Sequence, residues 1–546
     1  MIDTPALTCD VLIAGGGPVG LTTAVELAHF GCSTMLIERN PTTTAHPKMD
    51  LTNGRSMELM RRTGLASKVR AAGVPSTSNY DVLWISDLKP KSHILHRFGY
   101  DSAEHEYWRR RTVNDGTLTV EEPLRVSQIV IEPIIRQAAE DHEKTDIRFG
   151  WALEDFVQDA NGVTSTIRCM ETGEIKTVRS RFLVGCDGGG STVRTKLDVA
   201  VEGERNVVNA YLVHFCSTAY DVLHQFGQAW HYQTEWGGMI GQNDKDEWTL
   251  HVFFLPPDTD YSKLDPRQVV IEGFGQDFDF EVLVANPWSA NYLITQEYSK
   301  GNVFMAGDAC HQYMPTGGYG MNTGIAEVGN LTWKLAAAVH GWGGKTLLDS
   351  YHQERFPIAN LSLETSKRHL GVRFAIAEMY AATKDIHGDS ESAKANRLRF
   401  GRQIADLGNG ENEAWGTEHG YRYADSPIVA HEGGVPPVFD HFDYHPSTYP
   451  GCRLPSLFLD DGSAIYDLLG TWFTLIALDD SDCSAIEVAA KGKGVPLEVV
   501  RISSDLANRI YEKSLILVRP DHHVAWRGDT LPANCETLIA KIAGQG

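Results

Sequence analysis

A run of glycines after a short apolar strand is the feature that most restricts the fold of this chain. In DVLIAGGGPVG, residues 10–20, four apolar residues predict a buried strand, and Gly15, Gly17 and Gly20 follow in the spacing G-x-G-x-x-G. The next residues, LTTAVELAHFG, have helical periodicity and end at Gly31. A strand, a tight turn and a helix in this order predict a phosphate site, because the free N–H groups and the dipole of the helix N-terminus favour an anion.

Each of these glycines has a separate task in such a site. Gly15 makes the turn, Gly17 lacks the Cβ that would keep a pyrophosphate away, and Gly20 lets the helix pack closely. The second predicted strand, STMLIER, ends at Glu38, eighteen residues after Gly20. A carboxylate at this distance can hold the two hydroxyls of an adenosine ribose. The segment therefore predicts a dinucleotide, without distinguishing NAD from FAD.

Length, charge and cysteine content exclude several classes of protein. The 546 residues suffice for two or three domains. A formal net charge of -22 argues against nucleic acid or an anionic membrane as a partner. No apolar run approaches about 18 residues, and the start MIDTPALTCD is acidic where a signal peptide would be basic, so we expect a soluble, cytoplasmic protein. Nine cysteines without a C-x-x-C pair predict reduced thiols and no metal site.

Two further glycine clusters lie far along the chain. FLVGCDGGGSTVR, residues 182–194, predicts a strand, a turn at Asp187 and a capped helix. GNVFMAGDACHQYMPTGGYGMNTG, residues 301–324, predicts a strand that ends near Asp308, then a glycine-rich loop and a long helix that starts near Asn322. Backbone N–H groups at the start of this helix would again point at an acceptor.

Taken in order, these segments resemble the class A flavoprotein aromatic hydroxylases, which have the para-hydroxybenzoate hydroxylase fold. The matching motifs are the first glycine motif with Glu38, D-G-x-x-S-x-V-R at residues 187–194, and G-D-A-x-H-x-x-x-P-x-G-G-x-G-x-N-T-G at residues 307–324. Later segments, GYRYADSP, PGCRLPSLFL and LVRPDHHVAWRG, resemble the phenol hydroxylase and 2,4-dichlorophenol 6-monooxygenase branch, which carries a thioredoxin-like domain. The resemblance implies that the dinucleotide is FAD.

The resemblance also implies an α/β fold class, in which a Rossmann-like FAD-binding domain is interleaved with a β-sheet substrate domain and followed by a thioredoxin-like domain. The expected boundaries are residues 1–75, 121–199 and 296–375 for the FAD-binding domain, 76–120 and 200–295 for the substrate sheet, 376–435 for a connecting segment of helix and loop, and 436–546 for the thioredoxin-like domain. Because the last domain has no C-x-x-C pair, we expect it to serve structure or association rather than redox chemistry. The expected assembly is a homodimer or a higher homo-oligomer.

The reaction that the resemblance implies defines what the site must do. NADPH or NADH delivers hydride to FAD, O2 adds to the flavin C4a atom as a hydroperoxide, and its distal OH is transferred to an aromatic ring carbon. The protein contributes orientation, exclusion of water and electrostatics, while the cofactor supplies the difficult chemistry. As in the family, no second G-x-G-x-x-G is present for the nicotinamide, so the sequence does not choose between NADH and NADPH.

The family motifs assign a set of cofactor-binding residues. Glu38 is expected to hold the adenosine ribose, Gln128 to meet the flavin side, and Asp308 to meet the ribityl chain or the pyrophosphate. The N–H groups of Met321 and Asn322 are expected to face the part of the flavin where negative charge collects on reduction. The complete expected set is Gly15, Gly17, Pro18, Gly20, Glu38, Arg39, Lys48, Gln128, Asp187, Asp308, Pro315, Gly318, Gly320, Met321 and Asn322.

A catalytic base is expected because a phenol is attacked more readily as its phenolate. In the phenol hydroxylase branch an aspartate stands five residues before an arginine, and here Asp50 stands five residues before Arg55. The alternative is that Asp50 only caps or solvates a loop. The tyrosine and arginine that accompany this aspartate in phenol hydroxylase have no match in GMIGQNDKDEWTLHVFF, which leaves the substrate contacts open.

Alternating strands between residues 200 and 295 predict the substrate sheet. In that sheet His214, Tyr232 and Met239 could face the aromatic ring, with a place in the core as the alternative. Pro315 matches a proline that lies near the substrate hydroxyl in the family. We expect His311 to be structural rather than an acid or base.

Three functions compete for such a chain. The first is a monooxygenase that hydroxylates a small or medium substituted phenol. The second applies the same chemistry, by hydroxylation or Baeyer–Villiger insertion, to a polycyclic or heteroaromatic compound; Asp50 favours the first, because a bare ketone needs no phenol base. The third is a halogenase or a non-oxygenating FAD reductase, and the W-x-W-x-I-P signature of the halogenases is absent. A non-catalytic flavoprotein module ranks last because it would not need a substrate sheet.

Overall fold

The computed structural model describes residues 7–383 and 385–546, so the first six residues of the acidic N-terminal segment lie outside the described part. The strands are β1 (Leu7–Ala14), β2 (Thr34–Glu38), β3 (Leu51–Thr52), β4 (Val82–Ile85), β5 (Ile94–Phe98), β6 (Leu124–Arg125), β7 (Thr145–Phe149), β8 (Trp151–Asp159), β9 (Gly162–Cys169), β10 (Ile175–Gly185), β11 (Val201–Cys216), β12 (His231–Gln233), β13 (Gly237–Gly241), β14 (Glu247–Val252), β15 (Glu281–Thr295), β16 (Ser299–Lys300), β17 (Val303–Met305), β18 (His311–Gln312), β19 (Phe473–Ala477), β20 (Leu497–Arg501), β21 (Leu515–Val518) and β22 (Val524–Gly528). The α-helices are α1 (Pro18–His29), α2 (Gly54–Arg61), α3 (Leu65–Ala72), α4 (Ala103–Val113), α5 (Gln128–Glu140), α6 (Thr192–Lys196), α7 (Tyr220–Leu223), α8 (Pro266–Phe274), α9 (Tyr319–Val339), α10 (Lys345–Ala382), α11 (Glu391–Leu407), α12 (Trp415–His419), α13 (Ser484–Lys493), α14 (Asp505–Tyr511) and α15 (Cys535–Ile542).

The first sheet brings the three glycine clusters together. Its strand order is β16-β17-β10-β1-β2-β7, with β9 and β8 added beside β10. β17, β10 and β1 are neighbours and run parallel. Each glycine cluster directly follows one of these three strands, and the carboxyl ends of parallel strands meet at one edge of a sheet. Segments separated by more than a hundred residues of sequence therefore meet there.

A second sheet forms the wall opposite this edge. Its order is β18-β15-β11-β14-β13-β12-β4-β5, and β12 with β4 is its parallel pair. One face packs with α8 around a core that includes Leu250, Phe215 and Phe274. The other face is directed toward α10 and the segment that precedes β3. The strand at one edge of this sheet, β18, comes from the third glycine segment, outside the residues 200–295 that were predicted to form the main part of the substrate sheet. The division of the chain into domains stays a proposal.

The C-terminal part has a smaller sheet of its own. The order is β20-β19-β21-β22, with β19 parallel to β20 and antiparallel to β21. α13 and α15 pack against one another beside this sheet. A first sheet that gathers the glycine clusters, a second large sheet and a smaller C-terminal sheet, each with packed helices, confirm the predicted α/β fold class.

A buried group of charges joins the C-terminal part to α9 and α10. Glu354 accepts hydrogen bonds from Lys334 Nζ at 2.6 Å and from Arg519 at 2.6 and 2.8 Å. Arg519 also pairs with Asp521 at 2.7 Å, and all four side chains are buried. Removing one partner from such a cluster leaves an uncompensated charge in the interior, which typically costs about 3–5 kcal/mol. The cluster therefore fixes the C-terminal part onto the two long helices.

One helix start differs from the sequence-based expectation: α9 begins at Tyr319, three residues before the predicted start near Asn322. The segment 376–435 contains the end of α10 and the whole of α11, which packs against β5 of the second sheet. None of the helices within residues 7–383 and 385–546 combines the length and the apolar character needed to cross a membrane.

Candidate active site

The three glycine segments line one groove with a volume of about 800 Å³. Gly15 has a φ of +111°, and a Cβ there would come within 2.2 Å of the Cys186 carbonyl oxygen. A Cβ on Gly20 would come within 2.0 Å of the Gly15 carbonyl oxygen, whereas a Cβ on Gly17 would meet no atom within 4 Å. Gly15 and Gly20 thus serve close packing. Gly17 adjoins open space in front of the start of α1, which fits a pyrophosphate.

The carboxylate of Glu38 lies at one end of this groove. Its Oε2 accepts a hydrogen bond from the Gly16 N–H at 2.7 Å, and its Oε1 accepts one from the Asn40 N–H at 2.9 Å. These bonds fix the side chain beside the glycine turn. Pro18 and Arg39 also line the groove.

The second glycine segment lines the groove at its turn, but the Asp187 carboxylate is engaged with its own helix. Its two oxygens accept hydrogen bonds from Ser191 Oγ at 2.5 Å and from the Thr192 N–H at 2.6 Å, which caps α6. Arg194 donates to the Gly189 carbonyl at 2.7 Å and to the Ala309 carbonyl at 2.9 Å. The motif therefore holds the second and third glycine segments together.

The third glycine segment places the start of α9 against the groove. Gly320 and Met321 line it. Because α9 begins at Tyr319, the N–H groups without an acceptor inside the helix are those of residues 319–321. Asn322 does not line the groove; its Oδ1 instead accepts hydrogen bonds from the Asn53 N–H at 3.0 Å and Ser56 Oγ at 2.7 Å. Of the N–H groups predicted at the start of this helix, those of Gly320 and Met321 therefore adjoin the groove, and that of Asn322 does not.

Other predicted cofactor residues lie at the junction of the groove with a second cavity. Asp308, Lys48, Pro315 and Gly318 line both spaces, and burial raises the pKa of Asp308. Gln128 lines the groove, where its Nε2 donates to Glu132 at 2.6 Å.

His311, for which the sequence predicts a structural role, is a buried residue of the third glycine segment. Its Nε2 lies 2.9 Å from Glu327 Oε1, and the second oxygen of Glu327 accepts from the Gly307 N–H at 2.8 Å.

The second cavity has a volume of about 440 Å³ and lies between the second sheet, α10 and residues 46–51. Apolar walls come from Leu212, Ile240, Phe253 and Met314. Because it shares several lining residues with the groove, a cofactor in the groove and a substrate in the cavity would meet at this junction.

Asp50 lies at the junction and lines both spaces. Trp230 Nε1 donates a hydrogen bond of 2.7 Å to Asp50 Oδ2, and His231 Nε2 lies 3.6 Å from the same oxygen. No hydrogen bond to Oδ1 is found within the described residues, so Oδ1 is the acceptor left for a ligand. Burial alone would raise the pKa of Asp50, but His231, Trp230 and the more distant Arg125 outweigh burial and hold it below its usual value. Asp50 is therefore a carboxylate at neutral pH.

Arg125 supports this arrangement from behind. It pairs with Asp244 at 2.8 and 3.0 Å, and its guanidinium lies 5.5 Å from the ring centroids of both Tyr80 and Trp230. Stacking of this kind orients the indole and adds a cation–π contribution. The Trp230 N–H is thereby directed at Asp50.

A chain of hydrogen bonds begins at His231, beside Asp50, and follows the cavity wall. His231 Nδ1 lies 3.2 Å from Gln233 Nε2, and Gln233 Oε1 accepts from Arg373 Nη1 at 3.0 Å. Arg373 in turn forms a two-point pair with Glu411, at 2.7 and 3.1 Å. Burial would raise the pKa of Glu411, but Arg373 outweighs that effect and lowers it. The pair is therefore charged.

Three predicted substrate residues do not line the cavity. Tyr232 and Met239 face each other across β12 and β13 and belong to the core on the opposite face of the sheet. Their neighbours His231 and Ile240 line the cavity instead, because side chains alternate between the two faces of a strand. His214 lies beyond the cavity on β11, with Nε2 3.4 Å from Glu247. Of the four substrate candidates, Pro315 alone lines the cavity.

Most of the polar cavity wall consists of residues that no sequence motif predicts. These residues are Trp230, His231, Gln233, His251, Arg373 and Glu411. For His231 and Gln233 the alternation of β12 was a usable signal, but it defines two faces without telling which one meets the cavity. Arg373 and Glu411 belong to α10 and to a later turn, in segments where the sequence carries no motif.

Comparison with known proteins identifies the family. Residues 8–366 match the FAD binding domain family, and residues 447–545 match the family "Aromatic-ring hydroxylase, C-terminal". The chain is 36% identical to the FAD-dependent monooxygenase apdD of Emericella nidulans, over 98% of this chain and 90% of that protein. It is 31% identical to 2,4-dichlorophenol 6-monooxygenase of Cupriavidus pinatubonensis, over 96% and 94% of the two chains. The crystal structure of the flavin-dependent monooxygenase PieE in complex with FAD and substrate superposes with a TM-score of 0.90, at 27% identity over all of both chains. The chain therefore belongs to the class A flavoprotein aromatic hydroxylases, and it is a FAD-dependent aromatic monooxygenase.

Proposed function

We propose that this enzyme hydroxylates a phenolic ring, with NADPH or NADH as reductant and O2 as oxidant, and that Asp50 takes the proton of the substrate hydroxyl. The observation that carries the proposal is the place of Asp50, whose carboxylate borders both the cofactor groove and the substrate cavity. Its Oδ2 faces the donors Trp230 and His231, while Oδ1 remains free to accept.

The groove suits FAD because Gly17 and the free start of α1 leave room for a pyrophosphate beside the glycine turn. Glu38 would hold the ribose hydroxyls, and the N–H groups of Gly320 and Met321 would face the flavin edge that becomes negative on reduction. Lys48, Gln128, Asp308 and the loop Pro315–Gly318 would complete the flavin end. Bound FAD supplies hydride acceptance from the nicotinamide and activation of O2.

The residues of the cavity would prepare the substrate. Transfer of the hydroxyl proton to Asp50 Oδ1 leaves a phenolate, whose ring carbons are more electron-rich and react faster with an electrophilic oxygen. The apolar walls and Pro315 would position the ring and exclude water from the junction. Asp50 is ionised before the substrate arrives, so its Oδ1 can accept a hydrogen bond from the substrate hydroxyl and then the proton.

The test is a screen of substituted phenols for stimulated NADPH and NADH oxidation, with hydroxylated product and hydrogen peroxide measured in parallel. A phenol that yields close to one product per nicotinamide oxidised identifies the substrate and the preferred reductant. Peroxide without product for every phenol would reject the proposed substrate class.

A second candidate keeps the chemistry and enlarges the substrate. A cavity of about 440 Å³ lies within the usual range of about 300–1,000 Å³ for sites of drug-sized ligands, which is ample for a fused or substituted ring system. A hydroxylated polycyclic or heteroaromatic compound would still present an acidic OH to Asp50. Including such compounds, and non-hydroxylated ketones as a check for oxygen insertion, in the same screen separates the two candidates.

The assembly is proposed to be a homodimer located in the cytoplasm. Light scattering of the purified holoenzyme measures its mass directly and decides between monomer, dimer and higher oligomer.

A further inference from the structure

Two side chains that no motif predicts stand between Asp50 and a charged pair. His231 and Gln233 are two residues apart on β12, so they share the face of the sheet that borders the cavity. Gln233 is 4% exposed, and the side chain of His231 is 12% exposed. Their surroundings are fixed by Arg373 and Glu411 at one end and by Asp50 at the other.

The hydrogen-bond chain settles which group donates at each step. An arginine side chain only donates, so the atom of Gln233 that faces Arg373 must be its carbonyl oxygen. The NH2 group of Gln233 therefore faces His231 Nδ1, and because an amide nitrogen only donates, Nδ1 must accept and carry no proton. A neutral imidazole with a bare Nδ1 carries its proton on Nε2, the atom that faces Asp50 Oδ2.

We propose that Gln233, oriented by the Arg373–Glu411 pair, is a positioning residue that fixes the tautomer of His231 with a bare Nδ1 and the proton on Nε2, so that an N–H group and not a bare nitrogen faces Asp50 Oδ2 at 3.6 Å. This inference rests on the proposed role of Asp50 as the base. An imidazolium at this place would weaken Asp50 as a proton acceptor. A histidine with its proton on Nδ1 would turn a bare Nε2 toward the carboxylate and repel it.

The other charged and titratable groups around His231 do not supply an alternative control. His251 on β14 faces the same region, and burial lowers its pKa to about 4, so it is neutral near pH 7. Arg373 is neutralised by Glu411, and Arg125 by Asp244. Asp50 also faces His231, with Oδ2 3.6 Å from Nε2. The negative charge of Asp50 favours a second proton on His231. The NH2 group of Gln233 opposes that proton because it offers Nδ1 no acceptor.

The test compares wild-type holoenzyme with Gln233→Glu and the matched variant Gln242→Glu. A glutamate at position 233 can still pair with Arg373. Its carboxylate accepts a hydrogen bond from His231 Nδ1–H, so it permits a proton on Nδ1. Gln242 lines the same cavity and bonds Thr249 instead, so Gln242→Glu adds the same charge without facing His231. The readout is the two-bond ¹H–¹⁵N correlation spectrum of histidine-labelled, substrate-free holoenzyme, in which the signal missing from His231→Gln belongs to His231.

At one neutral pH we expect the wild type and Gln242→Glu to show His231 with its proton on Nε2 and a bare Nδ1, because the NH2 group of Gln233 offers Nδ1 no acceptor. In Gln233→Glu the carboxylate at position 233 accepts a hydrogen bond from Nδ1, so we expect a proton on Nδ1 and less product formed per nicotinamide oxidised than in the wild type. A wild-type His231 that carries its proton on Nδ1, or the same protonation of Nδ1 in wild type and Gln233→Glu, would overturn the inference. The spectra do not depend on catalysis, so a failure of Asp50 as the base would appear separately, as full coupling in Asp50→Asn.

Discussion

Trp230 Nε1 donates a 2.7 Å hydrogen bond to Asp50 Oδ2, which connects the start of β12 in the second sheet to the segment before β3. The bond occupies one carboxylate oxygen with a fixed neutral donor and leaves the other oxygen to the cavity. The aspartate is thus oriented by the substrate sheet, although the chain segment that carries it belongs to the cofactor side.

Asp50→Asn should keep bound FAD and its reduction by nicotinamide but lose most hydroxylation. An amide cannot take the phenol proton, and a general base typically contributes about 10²–10⁴-fold, so we expect a loss of roughly 100-fold or more near pH 6. The loss should shrink as the pH approaches the pKa of the free phenol, because solvent then supplies the phenolate. Product and peroxide measured across pH 6–9 check this, and equal coupling in variant and wild type would remove Asp50 from the reaction.

Trp230→Phe should raise the pH at which hydroxylation is lost on acidification. The variant keeps an aromatic ring over Arg125 but removes a donor that lowers the pKa of Asp50. A hydrogen bond to a charged group contributes about 1.5–3 kcal/mol, which corresponds to about one to two pKa units. The base form exists above the pKa of Asp50, so raising that pKa makes activity fail at a higher pH as the solution is acidified.

The control for this variant is Trp236→Phe in the same sheet. Trp236 Nε1 donates to Asp87 at 3.2 Å, and neither residue borders the substrate cavity. Its pH profile should match that of the wild type. An upward shift of the same size in Trp236→Phe would mean that the effect comes from the sheet and not from Asp50.

Gly17→Val should yield folded protein that does not retain FAD. A Cβ at this position would meet no protein atom within 4 Å, so the substitution does not disturb packing, but the side chain projects into the space proposed for the pyrophosphate. Flavin absorbance after desalting measures the retained FAD, and far-UV circular dichroism measures folding.

Gly492→Val in α13 is the matched control, since its Cβ would also meet nothing within 4 Å and it lies far from the groove. Full flavin content in Gly17→Val would contradict the proposed binding mode.

The sequence predicts the cofactor end of this protein better than the substrate end, for a physical reason. A dinucleotide is recognised largely by backbone N–H groups at turns, and such turns require glycine at particular positions, as Gly15 with its positive φ illustrates. The fold class follows from the same motifs. The cavity wall instead depends on which face of a short strand meets the cavity, and this is decided by packing of Tyr232 and Met239 against the core, which the sequence of β12 and β13 alone does not specify.

The first residue of α9 is another feature that the sequence does not specify. The glycine-rich loop predicts that a helix follows, but its first residue depends on where the backbone leaves the left-handed conformation, here at Gly318 with a φ of +63°. Because α9 begins three residues earlier, the N–H groups predicted at Gly320 and Met321 have no acceptor inside the helix, whereas the N–H group of Asn322 lies beyond the free first turn. Arg373 and Glu411 could not be found at all, because they lie far apart in sequence and only the course of α10 brings them to β12.

Glu354→Gln should destabilise the enzyme strongly at neutral pH and progressively less in acid. The substitution leaves Lys334 and Arg519 buried with one carboxylate fewer, and breaking a buried ionic cluster typically costs about 3–5 kcal/mol. Arg519 and Lys334 hold the pKa of Glu354 well below its usual value despite burial. A lowered pKa in the folded state gives stability that is present above the unfolded pKa, about 4.3, and is lost as the pH falls below it. The difference in thermal midpoint between wild type and variant should therefore be largest near pH 7 and narrow below about pH 4.5.

The control is Asp349→Asn, on the same helix and in an exposed pair with Lys345 at 3.1 Å. It should change the free energy of unfolding by less than about 1 kcal/mol at any pH. A Glu354→Gln variant as stable as Asp349→Asn would show that the cluster contributes little to the attachment of the C-terminal part.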